Sequence, residues 1–178
     1  MAKTLTLNLD RGLIIEGVKA DTFITGEIDK SADAVKNAAL AYNEQAGDDN
    51  YHERKLLRML RGAVAKFEAH LAEFVDTSAE DSITDTLSST TVTDTAFQIV
   101  VKVSDRYNNG LAGPIASLAQ EYVVNMMLYG WWQSIKPTLA KDYIAFAQES
   151  LTSIRLCLAK TAPTAANGDY TDINGTIS

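Results

Sequence analysis

Residues Gly113–Ala162 read GPIASLAQEYVVNMMLYGWWQSIKPTLAKDYIAFAQESLTSIRLCLAKTA, two long helical patterns separated by one interruption at Lys136-Pro137. In the first, Ile115, Leu118, Tyr122, Met126 and Tyr129 keep the three-and-four spacing of a buried helix face. Val123, Met127, Leu128 and Trp131 are apolar as well, so the pattern runs nearly all the way round. A helix of that kind belongs at the centre of a fold, surrounded by other elements or other subunits. Gln120, Glu121, Asn125 and Gln133 argue against a membrane span. The second pattern starts at Pro137, whose missing N–H costs nothing at a first helical position. Leu139, Tyr143, Phe146, Ala147, Leu151, Ile154 and Leu158 form its apolar stripe, and it stops before Pro163. So short a connection predicts an antiparallel helical hairpin.

Upstream, Leu57, Leu60, Val64, Phe67, Leu71 and Phe74 repeat at alternating three and four, which predicts an amphipathic helix running to about Val75. Asn50 and Glu53 match a capping box at its start. A shorter helix is expected over Ser31–Ala46, with Ser31 as N-cap, Val35, Ala38, Ala39 and Tyr42 on one side, and Gly47 as its stop. At the N-terminus Leu5, Leu7 and Leu9 alternate with polar residues, the period of a half-buried strand. Asp10-Arg-Gly12 reads as a turn, Leu13–Glu16 as a resumed apolar run and Thr22–Thr25 as a further extended stretch. A small β element of two or three strands is therefore expected over residues 3–25; it must pack on the helices or pair with another chain.

Residues Asp76–Thr95 carry Asp76, Glu80, Asp81, Asp85 and Asp94 with no Lys or Arg, and read as a loop or weak hairpin. Phe97, Ile99, Val101 and Val103 then alternate as a strand, within an inserted strand region spanning 83–104. Asp105–Gly110 is the turn into the central helix. After Pro163, residues 164–178 read as an extended arm in which Tyr170, Asp172, Asn174 and Thr176 alternate with Thr171, Ile173, Gly175 and Ile177. Such a tail frays unless a sheet or another subunit holds it. The expected fold is mainly α (α+β): a single domain over 1–163 built on a bundle of about four helices, a small β appendage, and the C-terminal arm.

Composition bounds function. The chain of 178 residues is 46% hydrophobic and 22% charged, a globular balance. Its net charge is −7 and its pI about 4.8, which argues against a free nucleic-acid binder. The single cysteine, Cys157, sits on the last apolar stripe, where a small buried hydrophobe is expected, and no disulfide framework is possible. MAKTLTLNLD has neither a long apolar core nor a cleavage pattern, so no signal peptide is expected. His52 and His70 share one helix but lie about 27 Å apart, too far for one metal ion. No glycine-rich phosphate loop, paired-cysteine motif or Ser/His/Asp signature stands in the sequence, and neither an enzyme nor a cofactor is expected.

Two features remain. Arg54, Arg58 and Arg61 fall on one helical stripe, where like charges mildly repel. They form either a solvated face or a set of partners for carboxylates on a neighbour, such as Asp81 and Asp85 of another copy. The aromatic group Tyr122, Tyr129, Trp131, Trp132 and Tyr143 reads as core, with room for an apolar subunit interface.

Four stretches carry a family resemblance: Val18–Gly26 (VKADTFITG), Gln45–Arg54 (QAGDDNYHER), Val101–Gly110 (VKVSDRYNNG), and Lys160–Pro163 with Tyr170–Ile177 (YTDINGTI). With the helix ending in Tyr-Gly-Trp-Trp132, they resemble small structural proteins of tailed phages and prophages of Bacteroidales-type gut bacteria. The resemblance spans most of the chain and implies a virion component of the head-to-tail connector, an adaptor or neck protein. It further implies assembly with itself into a ring in the host cytoplasm and docking to portal, tail and neck proteins. DNA would pass through the lumen without specific binding. The β content exceeds what a minimal helical adaptor needs, which leaves tail-completion and other virion roles open. A soluble helical protein-binding module is the alternative from another class.

Overall fold

The computed structural model describes residues 3–32, 45–47, 50–74 and 96–159, with the side chains of 27–32 and 96 left aside. Along these residues run strand β1 (Lys3–Asp10), helix α1 (Arg11–Ala32), helix α2 (Asn50–His70), strand β2 (Ala96–Val103), a 3-10 turn (Asn109–Leu111), helix α3 (Ala112–Trp132) and helix α4 (Pro137–Ala159). The fold is mainly helical with a small two-stranded antiparallel sheet, in the class that the periodicities predict.

α3 is the centre. Ile115, Ala119, Tyr122, Val123, Met127, Leu128, Trp131 and Trp132 are buried, and Leu118, Met126 and Tyr129 pack against the core from partly buried positions. α1, α2, α4 and β1 all pack on it, which is why its sequence is apolar on nearly every side. Burying each large side chain of this set contributes about 1.5–3 kcal/mol. A Cβ on Gly130 would stand 3.1 Å from Met59 Cε, so the glycine lets the α2 side chain lie over α3.

α4 folds back onto α3 after the turn at 133–135, as the short connection predicts. Its buried residues are Ala140, Ala147, Ser150, Leu151, Ile154 and Leu158. Phe146, expected on the buried stripe, is instead 50% exposed. It lies one residue, or about 100°, off the line through Ala140, Ala147 and Leu151. Its ring rests against Tyr143 in a T-shaped contact, with centroids 6.5 Å apart. The aromatic group behaves as core: Tyr122, Trp131 and Trp132 are buried, and Tyr129 and Tyr143 pack against them from the rim. Cys157 is half-buried.

α2 buries Leu56, Leu60, Ala63, Val64 and Phe67, with Leu71 and Phe74 following in the turn beyond its end. The expected period holds, but Leu56 takes the deep position assigned to Leu57. Asn50 is the first helical residue rather than a cap. At this end the Gly47 N–H donates to His52 Nδ1 at 3.0 Å. At the other end Arg155 of α4 donates from Nη2 to the His70 carbonyl at 2.7 Å and lies 3.6 Å from Glu73. A cation there answers the carbonyls that a helix C-terminus leaves open.

The N-terminal segment departs from its sequence reading. β1 is a strand, but its partner is β2, in the register Leu5↔Val101, Leu7↔Ile99 and Leu9↔Phe97, with Leu7, Leu9, Ile99 and Val101 buried on one face. Leu13–Glu16 and Thr22–Thr25, expected within a small β element, instead lie in α1. Asp10 is the cause at the start: its Oδ1 accepts from the Leu13 N–H at 2.9 Å, an N-cap where a turn was read. Ile14, Val18 and Thr22 then recur every fourth residue and are all fully buried. The β-branched threonines are accommodated by bonding back along the helix, Thr22 Oγ1 to the Lys19 carbonyl and Thr25 Oγ1 to the Asp21 carbonyl. Thr22 Oγ1 also accepts from the Ala46 N–H at 3.2 Å, tying residues 45–47 to α1. Ser31, expected as an N-cap, lies near the end of α1. The helix expected over 31–46 is not borne out at either end: residues 31–32 close α1, and 45–46 are not helical. Its middle, 33–44, the loop over 76–95 and the arm over 164–178 fall outside the described residues.

Candidate functional site

The arginine stripe is where sequence and structure meet most directly. At about 100° per residue, Arg54, Arg58 and Arg61 lie within a roughly 60° arc on the side of α2 opposite Leu56, Leu60 and Phe67, and span about 10 Å along its axis. All three are exposed. With Leu57 they line a shallow surface depression of about 290 Å³. None of the three has a carboxylate partner among the described residues.

Neighbouring groups enlarge this face. Tyr51, one turn before Arg54, is 83% exposed. Lys55 lies at the boundary with the core, its Nζ 3.9 Å from the centre of the Trp131 ring. Burial, and then the positive charge of Arg58, holds the Lys55 amine below its ordinary range. The helix thus carries a positive cluster that nothing described neutralises. Asp81 and Asp85, the partners from another copy in the alternative to a solvated face, lie outside the described residues, as do Tyr170, Ile173 and Ile177 of the arm.

The histidines do not converge. His52 accepts from Gly47 and meets the edge of Trp131 at 5.5 Å, while His70 lies edge-on to Tyr122 at 6.4 Å, so both have local structural contacts. Among the described residues no group of three His, Cys, Asp or Glu side chains could hold a metal ion, and no helix is long and apolar enough to cross a membrane.

Two further surfaces emerge that the sequence reading missed. On α1, Leu13, Phe23 and Ile24 are each more than half exposed, and with Ala20 they form a second apolar side away from the core. The signal was in the sequence as apolar residues ten and eleven positions apart, which is three helical turns. On the sheet, the Lys102 N–H bonds the Phe74 carbonyl, so Lys102 faces away from β1. By ladder alternation the backbone groups of Thr4, Thr6 and Asn8 then point outward from β1, where no described strand pairs with them.

Comparison with protein families, characterised proteins and solved structures finds no match to this chain.

Proposed function

We propose that this chain is a structural subunit of a tailed-phage virion, placed in the head-to-tail connector as an adaptor or neck protein. It works by self-assembly into a ring and by docking to portal and tail, without catalysis, and leaves a channel for DNA. The observation that carries the reading is the outward side of α1, where Leu13, Phe23 and Ile24 stand 56%, 55% and 56% exposed on a 22-residue helix. Large apolar side chains left this exposed on one side of a helix are normally covered by a partner. The resemblance of VKADTFITG and the other three stretches to phage structural proteins supplies the biological setting.

Mechanistically, head-to-tail contacts between copies close into a ring when the rotation closes. The outer edge of β1 offers backbone groups to an added strand, and the arm with Tyr170, Ile173 and Ile177 has the alternation to supply one from a neighbour. Carboxylates of the chain's acidic excess, placed toward the lumen, would repel DNA phosphates and let the genome pass. A tail-completion role would use the same surfaces.

Native mass spectrometry over a concentration series tests the proposal, alone and with a tailed-phage portal protein. A discrete high oligomer, lost on deletion of residues 164–178, is the expected result. A monomer under both conditions would replace this reading with a helical protein-binding module.

A further inference from the structure

We propose that the outward face of α2, formed by Arg54, Arg58, Arg61, Leu57 and Tyr51, docks a carboxylate-rich surface on a second copy of this chain. The inference deepens the subunit reading and rests on it for copies meeting at all; what it adds is the face that one copy presents.

Charge distribution selects the occupant. Residues 54–66 hold five of the sixteen bases and no acid, leaving eleven bases against twenty-three acids elsewhere, a net of −12. One stretch, 76–94, has five acids and no base. Each copy therefore carries one concentrated positive face and a large carboxylate excess over the remainder of the chain. Like charges oppose pairing of the arginine face with itself. The contact is therefore arginine face to carboxylate surface, either reciprocated about a two-fold axis or repeated head-to-tail, and the head-to-tail form leaves each copy with one face of either kind to offer the next.

The local chemistry agrees. Each guanidinium presents five N–H donors in a planar fork that matches a carboxylate bidentately. Three of them along about 10 Å of helix address a carboxylate cluster rather than a single group. Leu57 and Tyr51 add apolar area among the charges, and Tyr and Arg are the residue types enriched where interfaces carry their energy. The Lys55 amine is depressed chiefly by burial and secondarily by the Arg58 charge, which is repulsion within the cluster. Relief comes from an anionic partner. Duplex DNA has the right sign but carries a charge about every 1.7 Å. Approach of so dense a polyanion is opposed by the chain's overall net charge of −7.

The test is sedimentation velocity of the full chain at about 50 mM and about 500 mM salt, where screening lengths differ roughly threefold. The wild type is compared with an Arg54→Glu/Arg58→Glu/Arg61→Glu variant and with the corresponding triple Lys variant. All three positions are exposed, and matching thermal melts confirm that the variants fold. Expected is a wild-type oligomer that weakens as salt rises, at least about tenfold weaker association for the Glu variant, and an intermediate loss for Lys, which keeps charge but loses the fork. A Glu variant that associates as well as wild type overturns the inference and leaves the subunit reading standing. A wild type that is monomeric at every concentration also overturns it, whereas the subunit reading fails only if the portal too induces no assembly. Fluorescence anisotropy with a labelled duplex provides the remaining arm: tight binding by wild type, lost in the Glu variant, would reassign the face to nucleic acid and overturn the proposal.

Discussion

Replacing Thr22 by Val tests the α1 assignment at a single atom. Thr22 is fully buried, and its hydroxyl both donates to the Lys19 carbonyl and accepts from the Ala46 N–H. Valine keeps the shape and removes the acceptor. The Lys19 carbonyl loses little, since a carbonyl can still be served by the helix ladder. The Ala46 N–H is left buried without a partner, which costs about 1–3 kcal/mol. Burying a methyl group in place of a hydroxyl returns part of this, for a net loss of about 1–2 kcal/mol. In a chain of this size that lowers Tm by about 2–8 °C.

Thr25 is the control. It is also on α1, and its hydroxyl donates to the Asp21 carbonyl, but it accepts from no described residue. Thr25→Val should stay within about 0.5 kcal/mol of wild type. Calorimetry of both variants gives the comparison, and hydrogen exchange at the Ala46 amide localises the effect. A strand over 22–25, the reading suggested by β-branched composition, makes the opposite forecast, because valine is favoured over threonine wherever an extended chain buries its side chain. Equal melting temperatures for the two variants, or a rise for Thr22→Val, would refute the helical account of this segment.

Two other substitutions probe groups that burial has strained. The Tyr107 hydroxyl is buried with no hydrogen-bond partner among the described residues, so Tyr107→Phe should stabilise by about 1 kcal/mol and raise Tm by about 2–4 °C; a lower Tm would mean that the hydroxyl is bonded in solution. Burial raises the Glu68 carboxyl above its ordinary value of 4.5, so folding favours its protonated form. Its contribution is therefore fully present below pH 4.5 and is lost as the pH rises through the raised folded value. Glu68→Gln should melt higher than wild type at pH 7 and indistinguishably from it below pH 4.5; a pH-independent difference would contradict the burial account.

What was legible in the sequence was what local period determines. The α3–α4 hairpin declares itself within fifty residues because apolar spacing, Pro137 and the short connection all act at close range. The α2 face was legible for the same reason, and so was its arginine stripe, since both are statements about angle around one helix. The strands were legible as strands, Leu5-Leu7-Leu9 and Phe97-Ile99-Val101, because alternation is local too. Their partnership was not. Leu7 meets Ile99 across more than ninety residues, and no period encodes which distant strand supplies the other half of a ladder. Deprived of that partner, the N-terminal strand was given a local one in Leu13–Glu16, which turned a helix into a hairpin.

The misreading of α1 and its outward apolar side have one physical source. A helix with a single apolar face shows the 3.6-residue period clearly, as α2 does. On α1, Ile14, Val18 and Thr22 face the core while Leu13, Phe23 and Ile24 face outward, and the two sets fall on adjacent residues. Adjacent apolar pairs such as Leu13-Ile14 and Thr22-Phe23 fill in the polar gaps, so the period is cancelled and β-branched composition dominates the local signal. The core accounts for only one of these two sets. Ile14, Val18 and Thr22 are there to pack; Leu13, Phe23 and Ile24 contribute nothing to the interior and expose apolar surface to water. Their presence on an element whose fold does not need them is a cost that a partner would offset, and it is the reason the subunit reading is anchored on α1 rather than on the larger but fully satisfied surface of α3.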